Sequence, residues 1–207
     1  MKLFPLVPVL AAALFSSCAT QTQPAKPLKT EARVDLKRYL GKWFEIARYP
    51  KWFQSGCDSA TAEYTPKKDG TIKVVNTCLR GDGSSRSIEG VASPVDAKGN
   101  RLKVNFPNNW YTKAITAPPE GNYWIIEVSP DYRRAIVGTP DRRSLWFLSR
   151  SAVIAAKDFE AMKATAAAQG FDITDLRIDG HTKIESRSQV TRKVAPERPA
   201  KTQRQGR

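Results

Sequence analysis

The chain has 207 residues, a formal charge of +14 and one histidine. That length fits one domain with terminal extensions, and the apolar and aromatic content suffices for a packed core, which excludes wholesale disorder. The charge would ordinarily point to nucleic acid. However, eight Lys or Arg against two Glu fall between His181 and Arg207, in a stretch without Phe, Tyr or Trp. No stacking platform for bases accompanies the densest charge, so no nucleic-acid partner is expected. Residues 181–207 read either as a solvated, disordered basic tail or as one drawn to an anionic surface such as lipid head groups.

In chain order, residues 1–17 read as a secretory signal. Lys2 gives the positive start, Leu3 to Phe15 an apolar run, and Ser16-Ser17 a small-residue site. The run is too short to span a bilayer. Cys18 follows directly and resembles the lipobox cysteine of bacterial lipoproteins, which becomes the lipid-modified first residue. Phe15 stands where that pattern usually has leucine. The other reading is ordinary cleavage that leaves Cys18 free. In the lipoproteins it resembles, aspartate after the cysteine favours inner-membrane retention; Ala19 stands here, which implies lipid anchoring at the periplasmic face of the outer membrane. Residues 18–33, with Pro24 and Pro27 among polar residues, form a flexible tether.

Residues 34–180 carry the domain. Tyr39 to Tyr49 runs as a strand with Trp43, Glu45, Ala47 and Tyr49 on one face and Phe44, Ile46 and Arg48 on the other, because strand side chains alternate. Both faces are largely apolar, so both must be covered. A closed barrel with a helix outside meets that need. Glu45 then points inward, where an isolated charge is expensive. A basic partner resolves this, or else a bulge turns the carboxylate out. Trp52 and Phe53 on the following loop are either a rim at the barrel mouth or packing on its edge.

Short strands with regular turn signals follow, the pattern of a sandwich or barrel. They are expected at Cys57–Thr65, Thr71–Leu79, Arg86–Ser93, Arg101–Phe106, Tyr123–Val128, Arg133–Thr139 and Ser144–Arg150. With the opening strand they make eight. If Cys18 carries lipid, Cys57 and Cys78 remain as a disulfide pair. Pairing Thr65 with Thr71 puts Cys78 opposite Asp58, so a one-residue bulge or a loose strand start brings the sulfurs together. The period then changes: Phe159, Met162 and Ala166 recur at helical spacing over Ala155 to Gln169, and Gly170 stands at the C-terminal cap position. The fold class expected is all-β, an eight-stranded antiparallel up-and-down β-barrel with one C-terminal α-helix packed outside.

Three segments carry a family resemblance. G-K-W at Gly41–Trp43, S-P-D-Y-R-R-A-I-V-G at Ser129–Gly138 and L-W-F-L-S-R at Leu145–Arg150 resemble, in order and spacing, the motif regions of lipocalins. Together with the lipoprotein start they look like the bacterial outer-membrane lipocalins akin to apolipoprotein D. In a closed barrel the first and last strands are antiparallel neighbours, which brings Trp43 beside Arg150 at one end. A guanidinium over an indole contributes ~0.5–2 kcal/mol. Asp131 and Tyr132 sit at a turn near that end. Gly41, Trp43, Asp131, Tyr132 and Arg150 are thus barrel-closing residues, not ligand contacts.

Eight strands enclose room for one small ligand. Inward parity nominates Ala47, Tyr64, Val74, Asn76, Leu102, Val104 and Tyr123 as lining residues, with Trp110 near the mouth. The resemblance implies a non-enzymatic protein that binds and stores or transports a fatty acid or lysophospholipid in the cell envelope, without cofactor or metal, and leaves a homodimer open. The alternative is a lipocalin-fold enzyme acting on a lipid with a free Cys57 or Cys78 as nucleophile. The sole histidine, His181, lies after the barrel, so no Cys/His pair or His-rich metal site is expected within it.

Overall fold

A computed structural model describes residues 26–106 and 117–186. The signal, Cys18, Trp110 and the greater part of the basic tail lie outside the described residues. The chain enters through a single helical turn, α1 (Leu36–Tyr39), capped by Asp35, whose carboxylate accepts from the Lys37 amide. Eight antiparallel strands follow: β1 (Gly41–Arg48), β2 (Ser59–Pro66), β3 (Ile72–Leu79), β4 (Ser85–Pro94), β5 (Arg101–Asn105), β6 (Tyr123–Val128), β7 (Arg134–Gly138) and β8 (Leu145–Ser149). Each pairs with the next, and β8 closes on β1 through Phe44↔Ser149 and Glu45↔Leu148. Closure removes the sheet edges that an open sheet would leave unpaired.

After β8 come β9 (Val153–Ala155), helix α2 (Ala156–Ala168), β10 (Arg177–Ile178) and β11 (Lys183–Glu185). Between α2 and β10 the chain makes a 3-10 turn, Ile173–Asp175, begun by the Asp172 side chain accepting from the Thr174 amide. β10 adds to the far half of β1, pairing Ala47 with Ile178. β11 pairs in parallel with β9, setting Ile184 beside Ile154. The basic segment that begins at His181 is therefore ordered over its first residues, because Ile184 and its neighbours find a ladder partner.

Alternation divides the apolar side chains into two cores. Trp43, Tyr64, Val74, Leu102, Ile125 and Leu148 belong to the inner one. Ile46, Ile126, Ile136 and Phe147 form the outer one with Phe159, Met162 and Ala166 of α2, whose spacing of three and four puts them on one helix face. Phe44, also outward on β1, packs at the border of this cluster against the edge of His181.

The closed end is built around Arg150. Its guanidinium carbon lies 3.7 Å from the centre of the Trp43 ring. Nη1 donates to the Lys42 carbonyl at 2.8 Å and Nη2 to Arg38 and Tyr39 carbonyls at 2.9 and 3.1 Å. The Arg38 and Tyr39 carbonyls stand at the end of α1, where the helix itself cannot satisfy them. The Trp43 indole N–H donates to the Tyr39 carbonyl at 2.8 Å. Gly41 has φ +88°, a conformation that favours glycine, and a Cβ there would stand 3.5 Å from Arg150 Nη1. Tyr132, with φ 58°, accepts from the Asp35 amide through its hydroxyl at 2.8 Å. Asp131 holds its turn by accepting from Ser129 Oγ and the Arg133 amide.

Cys57 and Cys78 form a disulfide, with Cα atoms 5.3 Å apart. The hairpin register differs from the expected one: Thr65 faces Lys73, and Cys78 faces Ala60. The turn closes through Lys67 and Thr71, two residues further along the chain. Cys57 precedes β2, in the strand lead-in where the Asp58 amide still bonds the Leu79 carbonyl. A bridge closing a loop of this size stabilises by about 3 kcal/mol on chain-entropy grounds.

Candidate functional site

The end of the barrel opposite Arg150 is open, and a cavity of about 480 Å³ extends inward from it. Its wall is mainly apolar and comes from inward positions of successive strands: Ala62 and Tyr64 on β2, Val74 and Asn76 on β3, Ile88 on β4, Val104 on β5, Tyr123 on β6, and Trp146 and Leu148 on β8. Trp52 and Phe53, on the 3-10 turn Trp52–Gln54, line the mouth while 62% and 39% exposed. They form a rim. The Phe53 carbonyl accepts from Arg86 at 3.3 Å, and Lys51 donates to the Arg143 carbonyl, so the turn is tied to the start of β4 and to the connection between β7 and β8.

Three phenols meet at the deep end. The Tyr123 hydroxyl lies 2.7 Å from that of Tyr39 and 2.9 Å from that of Tyr64. Burial raises the pKa of all three above the ordinary tyrosine value, so the floor is neutral. Higher on the wall is Glu45, 4% exposed. Gln54 donates to both carboxylate oxygens at 3.0 and 3.3 Å. Arg48 Nε is 3.8 Å away, and the Arg48 guanidinium is also ion-paired with Asp179. Burial raises the Glu45 pKa, opposed by Arg48 and then by Gln54. Burial likewise lowers that of Arg48, with Glu45 holding it up.

A bulge in β1 explains this pair. Glu45 faces Leu148 and Ala47 faces Phe147, so Ile46 is the extra residue. Strict alternation would put Glu45 and Arg48 on opposite faces. The bulge moves Arg48 to the inner side, facing Trp146, and Ala47 to the outer core beneath the helix. Ala47, expected in the lumen, is therefore outside it, and Arg48, expected outside, is buried beside Glu45. The bulge does not turn Glu45 out; the carboxylate stays inside and is paired.

The cavity thus brings together Tyr64, Val74, Asn76, Val104 and Tyr123 of the expected lining. Leu102, fully buried, sits in the inner core paired with Tyr123 and is not part of the cavity wall. Ala62, Trp146 and Leu148 line it as well. Ala62 shares the parity of Tyr64, and Trp146 shares that of Leu148, so alternation alone could have found them. Gln54 and Asn122 could not be found this way, since both come from connections. Cys57 and Cys78 are joined to each other, so neither presents the free thiol that the enzyme alternative required. Among the described residues no cluster of three or more His, Cys, Asp or Glu could hold a metal ion.

A family model described as a lipocalin-like domain matches residues 34–181. The chain belongs to the lipocalin family. This lipocalin is 35% identical over 176 residues to the outer membrane lipoprotein Blc of Escherichia coli K12, covering 84% of this chain and 94% of the relative. It is 36% identical over 155 residues to temperature-induced lipocalin-1 of Arabidopsis thaliana, covering 73% and 81%. Apolipoprotein D of Macaca fascicularis is 28% identical over 153 residues, covering 70% and 75%. Among solved structures, lobster apocrustacyanin A1 superposes with a TM-score of 0.53 at 16% identity, over 75% of this chain and 91% of the other. That likeness concerns the lipocalin fold alone.

Proposed function

We propose that this lipocalin binds a fatty acid or lysophospholipid in its lumen and stores or carries it in the bacterial envelope, without catalysis. It does so while anchored through lipidated Cys18 at the periplasmic face of the outer membrane. The observation that carries the reading is the open, mainly apolar cavity of about 480 Å³, a shape and surface suited to one acyl chain. Kinship with outer membrane lipoproteins at 29–35% identity supports the location. The disulfide, which occupies both barrel cysteines, supports binding over thiol chemistry. Native mass spectrometry of the protein purified from a bacterial envelope is expected to show one co-purifying lipid per barrel, exchangeable for added lysophospholipid or fatty acid. A protein that carries no lipid and takes up none at micromolar concentration would overturn the reading.

A further inference from the structure

Among the described residues the buried charged side chains are Glu45, Arg48 and Asp179. Two carboxylates share one guanidinium, so the fully ionised group carries one negative charge in excess. The contacts show which carboxylate is left short. Asp179 is ion-paired with Arg48 Nη1 and also accepts from the Ala60 amide at 2.9 Å. Glu45 stands 3.8 Å from Arg48 Nε and otherwise receives only the neutral amide of Gln54. Asp179 is in the wall, whereas Glu45 lines the cavity.

The surrounding charges do not make up the difference. His181 lies against the Glu45 backbone carbonyl at 2.8 Å, and burial lowers its pKa, favouring the neutral ring. Arg177 and Asp58, the other charges that act on Arg48, are both exposed and opposite in sign. The neutral phenol of Tyr64 is the titratable group of the cavity floor that Glu45 influences. Two further buried acceptors line the same cavity without a hydrogen-bond donor, Gln54 Oε1 and Asn76 Oδ1. Buried acceptors are ordinarily satisfied, and a carboxylate removed from water requires a counter-charge or a proton.

We propose that Glu45 is the charge filter of the lumen, favouring amphiphiles whose head group is cationic or a neutral hydrogen-bond donor over those that bring an anion against it. The inference rests on the reading of the lumen as an amphiphile site and narrows it, since a free fatty-acid carboxylate lodged at Glu45 meets like charge. The proton is the competitor of the cation. As pH falls through the raised Glu45 pKa, the carboxylate is neutralised and the preference disappears.

The test uses the full chain and two probes that do not titrate, dodecyltrimethylammonium and dodecanol, with affinities measured by calorimetry at mildly alkaline and mildly acidic pH. The ratio of cation to alcohol affinity is expected to fall by roughly tenfold or more on acidification, as expected for a lost charge pair a few ångströms apart in a partly screened site. In Glu45→Gln the ratio is expected to be low at both pH values. The wild-type pH series decides the matter even where the variant fails to fold. A ratio that is independent of pH would overturn the charge filter while leaving lumen binding intact. Failure of the wild type to take up dodecanol at all would overturn the binding reading and the filter with it.

Discussion

Replacement of Trp43 by alanine is expected to destabilise the barrel by about 3–5 kcal/mol, the range for removing a large buried aromatic side chain. Trp43 is fully buried, its ring stacks 4.9 Å from Tyr39 on one side and lies under Arg150 on another. Removing it opens a void that the close-packed neighbours fill only in part. It also withdraws the surface on which Arg150 lies while that residue gathers the carbonyls of Lys42, Arg38 and Tyr39. Urea unfolding followed by circular dichroism measures the loss. The melting temperature should fall by roughly 2–4 °C for each kcal/mol in a chain of this size. A loss below about 1 kcal/mol would mean that the closed end is not held this way, since that is the scale of an ordinary substitution.

Arg48→Met is expected to have an effect of similar size, about 3–5 kcal/mol, for a different reason. Breaking a buried ion pair from one side leaves the other charge uncompensated. Here two carboxylates lose their one guanidinium, and Asp179 and Glu45 are 1% and 4% exposed. The sign of the pH dependence follows from this. A carboxyl whose folded pKa is raised above its unfolded value favours the folded state at low pH and loses that contribution as pH rises through the folded pKa. Glu45 is already raised in the wild type, and without Arg48 the opposing attraction is gone. The deficit of Arg48→Met should therefore shrink on acidification, and a second change, Asp179→Asn, should recover part of it at neutral pH. A deficit that is equal at both pH values would show that lost packing, not uncompensated charge, is the cause.

The architecture was legible because it repeats. Alternation in β5, the apolar run of β6, turn residues between strands and the helical spacing of Phe159, Met162 and Ala166 are local signals, and each names its own element. The meeting of Trp43 with Arg150 was also legible, because in a closed up-and-down barrel strand order alone brings the ends of the chain's first and last strands together. The bulge at Ile46 was not. It is accompanied by a contact between Arg48 and Asp179, residues on strand β1 and beyond β10, and nothing in the local pattern of Phe44 to Arg48 marks it. One displaced residue was enough to move Ala47 to the outer core and Arg48 to the inner side of the wall, buried beside Glu45. The hairpin register was missed by two residues, since the five residues from Lys67 to Thr71 close a turn that Asp69 holds through the Thr71 amide and hydroxyl. Leu102 had the right parity but the wrong depth, because alternation gives a face and not a height along the barrel.

The cavity itself is the part on which the rest depends, and anomalous diffraction can locate its occupant. Crystals grown with a long-chain alcohol brominated at its far end are expected to show one bromine deep in the barrel, beside Ala62, Val74 and Leu148 and above the Tyr64–Tyr123 hydroxyls. Bromine on the outer surface, or an interior closed by these side chains with the alcohol excluded, would contradict the assignment of the lumen as the binding site.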